Sequence, residues 1–96
     1  MSPFVYVVRP AFDGAFMARA TEAERGVVDA HGDYLERLAG AGKVSFAGRC
    51  MDGPFGLVVL DVESEPEARD IVAQDPSVRA GVQTAELHPF SVLLPR

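Results

Sequence analysis

Few side chains in this 96-residue chain can do acid–base or nucleophilic chemistry: two histidines, His31 and His88, and one cysteine, Cys50. His31 lies within "VVDAHGDYLERL" (27–38). There Val27, Leu35 and Leu38 mark one inward-facing helical stripe, with Val28 and Tyr34 at its margins. His31 falls on the same stripe, four residues after Val27 and four before Leu35, so the pattern turns an ionisable ring inward. Histidine changes charge near neutral pH, and a neighbouring carboxylate can set its tautomer and raise its basicity. Asp75, at the end of the second helix beside a turn, is the most suggestive partner. Both residues have a plainer reading. His31 can be a core histidine with satisfied hydrogen bonds, and Asp75 a local Asp-Pro turn residue, which its immediate neighbours favour.

The remaining candidates are weaker. His88 and Glu86, two apart in a strand, share a face and either line a pocket on the open side of the sheet or meet solvent. Arg9 and Arg49, each at a strand end, are candidates for binding an anionic substrate. Cys50 has no adjacent base and no nucleophile motif, so it reads as core. The histidines and cysteine do not fall at metal-ligand spacings, and the expectation is no metal. Glycines 40, 42, 48, 53 and 56 match neither a P-loop nor a dinucleotide fingerprint, and a Gly-x-Ser-x-Gly elbow is absent, so no nucleotide cofactor is expected.

The elements that must position these groups follow from patterning. "FVYVV" (4–8) is a strand apolar on both faces, ended by Pro10. The segment 11–20 reads as a loop with a short helical turn. Thr21 and Glu24 form a capping box that opens a helix over about 22–39, stopped at Gly40 or Gly42. "KVSFAGRC" (43–50) alternates Val44 and Phe46 against Lys43 and Ser45 as a half-buried strand, and "MDGPFG" is a turn. "LVVLDV" (57–62) is a second two-faced strand. Ser64 and Glu67 suggest another capping box before the helix "EPEARDIVAQ", which ends at Asp75-Pro76. After a turn, "QTAELHPFSVLL" (83–94) supplies the last strand, with Pro89 marking an edge position or a bulge. The order βαββαβ predicts an α+β, ferredoxin-like fold: a four-stranded antiparallel sheet with two helices on one face. The apolar opposite face predicts a homodimer formed through the open sheet face.

Length allows one domain over 1–96. A net charge of −5, with only nine scattered Lys and Arg, argues against nucleic acid and anionic membrane surfaces. No apolar run approaches a membrane span. The first residues lack the basic region of a signal peptide, and a lone cysteine suits a reducing cytoplasm.

Three segments carry a more specific signal: His-x-x-Tyr-Leu at His31, Ala47-Gly48, and "DPSVRAGV" at 75–82. With them the chain resembles YciI-like proteins of the YCII-related domain family over most of its length, most firmly at 31–90. The resemblance implies the dimeric α+β barrel, two ferredoxin-like sheets face to face, also used by muconolactone isomerase. It implies a pocket with a His–Asp pair, carried here by His31 and Asp75, and a family member is a dehydrochlorinase of a chlorinated hydroxyquinol. Two positions depart from the family pattern: Arg49 stands where proline is common, and Ser77 where phenylalanine often follows Asp-Pro. The expectation is a small cofactor-independent enzyme. It would do lyase- or isomerase-like proton transfer on a small aromatic or carboxylate-bearing molecule, with His31 as acid/base and Asp75 orienting it. The alternatives are a non-catalytic ligand-binding or assembly module and a cofactor-independent oxygenase.

Overall fold

The structure, a computed structural model, describes residues 2–11 and 21–95. Strand β1 (Ser2–Pro10) is followed by helix α1 (Glu22–Gly40), strands β2 (Val44–Arg49) and β3 (Gly56–Val62), helix α2 (Glu65–Gln74), a four-residue helix α3 (Pro76–Arg79) and strand β4 (Gln83–Pro89). The strands lie in the order β2-β3-β1-β4, every neighbouring pair antiparallel. This is the ferredoxin-like arrangement. The loop expected over 11–20 lies, beyond Ala11, outside the described residues.

The period-two alternation of the central strands sorts their side chains onto two faces. Phe4, Tyr6 and Val8 of β1 and Val58, Leu60 and Val62 of β3 face the helices and join Ala68 and Ile71 of α2 in the core. Each fully buried residue of this size contributes about 1.5–3 kcal/mol. Val5, Val7, Leu57 and Val59 point to the opposite face, where Val5 and Val59 are buried near the middle of the sheet and Val7 and Leu57 are half-exposed.

Helix α1 begins as its sequence demands. The Thr21 hydroxyl accepts from the Glu24 amide at 3.1 Å, and the Glu24 carboxylate accepts from the Thr21 amide at 2.9 Å. Gly42, at φ +78°, then supplies the left-handed residue that ends the helix. No residue of α1 is fully buried; Tyr34, Leu35 and Leu38 lie half-buried on the core, while Val27 and Val28 pack on Val82. The inward stripe is therefore real but incompletely covered, and a cavity opens between α1 and one end of the sheet.

Three local expectations need correction. Val44 and Phe46 do not share a face. Val44 pairs with Leu60 and Phe46 with Val59, so an extra residue, Ser45, bulges the strand and turns Phe46 onto the open face. Beyond Val44, β2 is exposed rather than half-buried. Ser64 caps α2 through the Glu67 amide at 3.3 Å, but the reciprocal half of the box is absent. The Glu67 carboxylate instead accepts from the Glu63 amide at 2.9 Å and pairs with Lys43, one residue before β2. Finally, β4 stops at Pro89. Phe90 donates one more backbone bond to Pro3, and beyond it Val92, Leu93 and Leu94 are exposed.

Candidate active site

Asp75 stands between two helices. It ends α2, and Pro76 starts α3, so its extended backbone (φ −61°, ψ 123°) lets its side chain cap the new helix. The carboxylate accepts from the Ser77 amide at 2.9 Å and the Ser77 hydroxyl at 2.8 Å. It is wholly buried. His31 reaches it across 44 residues of sequence, with Nδ1 at 2.7 and 2.9 Å from the two carboxylate oxygens. The Tyr6 hydroxyl, equally buried in β1, donates to Oδ2 at 3.0 Å. Four donors thus surround one carboxylate, close to its full accepting capacity.

The electrostatics agree with this geometry. Burial alone would raise the Asp75 carboxyl, but the hydrogen bond and charge of His31, with the two Ser77 donors, outweigh it and hold the group below its ordinary range. Burial, then the adjacent Asp75 charge, pushes the Tyr6 phenol far above its usual value, so it stays a donor. The same two causes raise Tyr34, whose hydroxyl donates to the Ile71 carbonyl at 2.7 Å and ties α1 to α2.

Because Asp75 accepts from Nδ1, that nitrogen carries the proton in neutral His31, and Nε2 keeps a free lone pair. The imidazole is 14% exposed and borders a cavity of about 520 Å³. The walls include Val28 and Leu35 of α1, Val8 of β1, Arg49 and Cys50 at the end of β2, and Gln83 at the start of β4.

His31 and Asp75 are therefore brought together by the fold, and Arg49 joins them at the cavity wall. Arg9 does not. Val8 faces the cavity, so Arg9, the next residue, faces the open side of the sheet and pairs there with Glu86. His88 lies on that side too, 3.0 Å from Glu86 and exposed. Cys50, read as core, is half-buried and lines the cavity. Among the described residues no group of three His, Cys, Asp or Glu side chains could hold a metal ion.

Tyr6 and Gln83 were missed by the sequence reading, and Ser77 was noticed only as a departure from a pattern. A signal for each existed: Tyr6 is the one core-facing residue of "FVYVV" with a polar tip, and Gln83 heads a face continued by Ala85 and Leu87. Ser77 is not placed as a nucleophile, since it is fully buried and its hydroxyl lies on the Nδ1 side of His31, at 3.4 Å.

Comparison with known proteins adds the lineage. Among solved structures, the chain is similar to the 5-chloro-2-hydroxyhydroquinone dehydrochlorinase TftG from Burkholderia phenoliruptrix AC1100, in complex with 2,5-dihydroxybenzoquinone. The two share 20% identity over 92% of this chain and 93% of that one, with a TM-score of 0.65, a likeness of fold. No curated protein sequence matches this chain. The model of the YCII-related domain matches residues 6–91, and the chain belongs to the YCII-related domain family.

Proposed function

We propose that this protein is a small enzyme in which His31, held by Asp75, moves a proton to or from a small hydroxylated aromatic or carboxylate-bearing molecule in an elimination or isomerisation. The observation that carries this reading is the His31–Asp75 contact. A buried carboxylate fixes the Nδ1–H tautomer and leaves a basic Nε2 at the wall of a cavity large enough for such a ligand. When Nε2 takes a proton from oxygen or carbon of the ligand, Asp75 stabilises the resulting imidazolium. The same proton then returns to the product or leaving group. Arg49, where it lines the cavity, supplies a positive charge for an anionic substituent. The dehydrochlorinase activity of the TftG protein belongs to this class of proton-transfer reaction and supports the choice of class.

We further propose that the chain, as a single cytoplasmic domain, works as a homodimer. Its open sheet face presents Val7, Leu57 and the 58%-exposed Phe46, and a second copy of that face would cover them. Among the described residues no helix is long and apolar enough to cross a membrane.

The test is a thermal-shift screen of small phenols, quinols and carboxylic acids against wild type and His31→Ala, followed by turnover assays on the hits. Positioned acid/base groups contribute roughly 10²–10⁴-fold, so His31→Ala should lose about that much turnover while remaining folded. Unchanged turnover would remove His31 from the mechanism. A mutant that only melts lower, with no ligand found for wild type, would favour the non-catalytic module.

A further inference from the structure

Asp75 holds more donors than a partner for His31 needs. The Tyr6 hydroxyl lies 3.0 Å from Oδ2, and the Ser77 amide and hydroxyl lie 2.9 and 2.8 Å from Oδ1. His31 Nδ1 reaches the two oxygens at 2.7 and 2.9 Å. Apart from His31 the donors are neutral, and they keep their protons whatever charge the ring carries. Their effect on the histidine follows from what the pair would be without them. A wholly buried carboxylate with His31 as its one partner is compensated only while the ring is an imidazolium. Releasing that proton would strand a buried charge, so the pair would keep it and Nε2 would have no lone pair to act with. Neutral donors stabilise the anion independently of the ring and let a neutral imidazole stand beside it.

Among these donors Tyr6 acts on His31 in a single direction. Ser77 does not, because its amide also belongs to the cap of α3 and its hydroxyl oxygen lies 3.4 Å from Nδ1 and 2.7 Å from Gln83. The Tyr6 hydroxyl bonds Asp75 and no other described residue, and its ring is fixed in the core with Phe4, Val8 and Leu60. Burial, then the charge of Asp75, pushes the phenol far above its usual range, so the proton stays on Tyr6 throughout.

We infer that Tyr6 is a positioning residue for the acid/base group: its hydrogen bond to Asp75 Oδ2 weakens the carboxylate's hold on the imidazolium and so sets the pH at which His31 Nε2 becomes free to accept a proton. The inference rests on the proposed role of His31, but it is read on the protein without ligand. Other charged or titratable groups surround the ring. Arg49, Cys50 and Asp52 share the cavity wall, Tyr34 stands on α1 itself, and Arg79 is exposed at the end of α3. From β3 the wall receives only apolar Leu57 and Val58 with Gly56, and from β4 the uncharged Gln83. Tyr6→Phe alters none of them.

The His31 Cε1 proton, followed by NMR against pH and told from that of His88 with His88→Gln, reports the titration midpoint. Tyr6→Phe keeps the ring and removes the donor, so the midpoint should rise by about half a pH unit or more. Tyr34→Phe loses a hydrogen bond to the Ile71 carbonyl instead of Asp75, and should leave the midpoint in place. In the Tyr34→Phe protein Tyr6 is the one remaining tyrosine. Incorporating 3-fluorotyrosine there makes a stronger donor on the same ring, and the midpoint should fall; this arm decides the matter if Tyr6→Phe does not fold. An unchanged or lowered midpoint in Tyr6→Phe, or no fall with fluorotyrosine, overturns the inference. So does a Tyr34→Phe midpoint that moves as far as that of Tyr6→Phe, because general loosening would then be the cause. A protein that shows the expected shifts but keeps full turnover in His31→Ala loses the proton-transfer reading and retains this one.

Discussion

Asp75 is the residue on which the site depends, and its environment makes that dependence measurable. It has no contact with water and takes hydrogen bonds from β1, α1 and α3. Tyr6→Phe removes one of these and nothing else, because the ring keeps its place in the core. A hydrogen bond to a charged group is worth about 1.5–3 kcal/mol, so urea denaturation should show a loss of that size with an unchanged m-value. The pH dependence has a definite sign. The folded-state value of Asp75 lies below its unfolded one, so its contribution is complete above the ordinary carboxylate range and is lost as pH falls through the lowered value. Ser77→Ala takes away one cause of the lowering, so the acid unfolding midpoint of that variant should move to higher pH. Unfolding followed by circular dichroism from pH 6 downward measures it. Sequence made His31 visible, because a titratable ring on an apolar stripe is conspicuous. It could not show Tyr6 joining Asp75, because the two are 69 residues apart and meet only when the junction of α2 and α3 lies over β1.

Among the elements, α1 carries the histidine and is the easiest to read. Its capping box, apolar stripe and terminal glycine are all local signals, and all three appear in the structure. Thr21→Ala should cost about 1 kcal/mol of stability, a typical value for a lost N-cap. Binding of any ligand found in the thermal-shift screen should persist, since His31 lies beyond the first turns and is held from the other side by Asp75. Strand β2 was harder to read. Its alternation looked regular, yet the bulge at Ser45 shifts everything after it by one residue and exchanges faces. The shift brings Ala47 and Arg49 to the cavity side and sends Phe46 to the open face. Nothing within "KVSFAGRC" announces this, because register is decided jointly with β3. The same holds for Glu67, which leaves its local capping role for the Glu63 amide and Lys43.

At the scale of the whole molecule, the sheet has one covered face and one open one, and the site sits on the covered side. Phe46 is large, apolar and 58% exposed on the open face. If that face joins two copies, Phe46→Glu should give a monomer in sedimentation velocity while circular dichroism stays unchanged, since the side chain takes no part in the helix-side core. A wild-type protein that sediments as a monomer at all concentrations would rule the homodimer out. Sequence by itself determined the order and type of the four strands and the two longer helices, the two-faced character of the central strands and the inward direction of His31, whereas the short helix Pro76–Arg79 falls where the sequence reads as a turn. These follow from periodicity, capping and turn chemistry, which act over a few neighbouring residues. Only the tertiary structure decided that Asp75 faces His31, that Arg9 is on the wrong side, and that Tyr6, Ser77 and Gln83 complete the hydrogen-bond chain. Those outcomes depend on strand register and on how α1 and α3 pack, and such long-range relations leave no mark in local sequence.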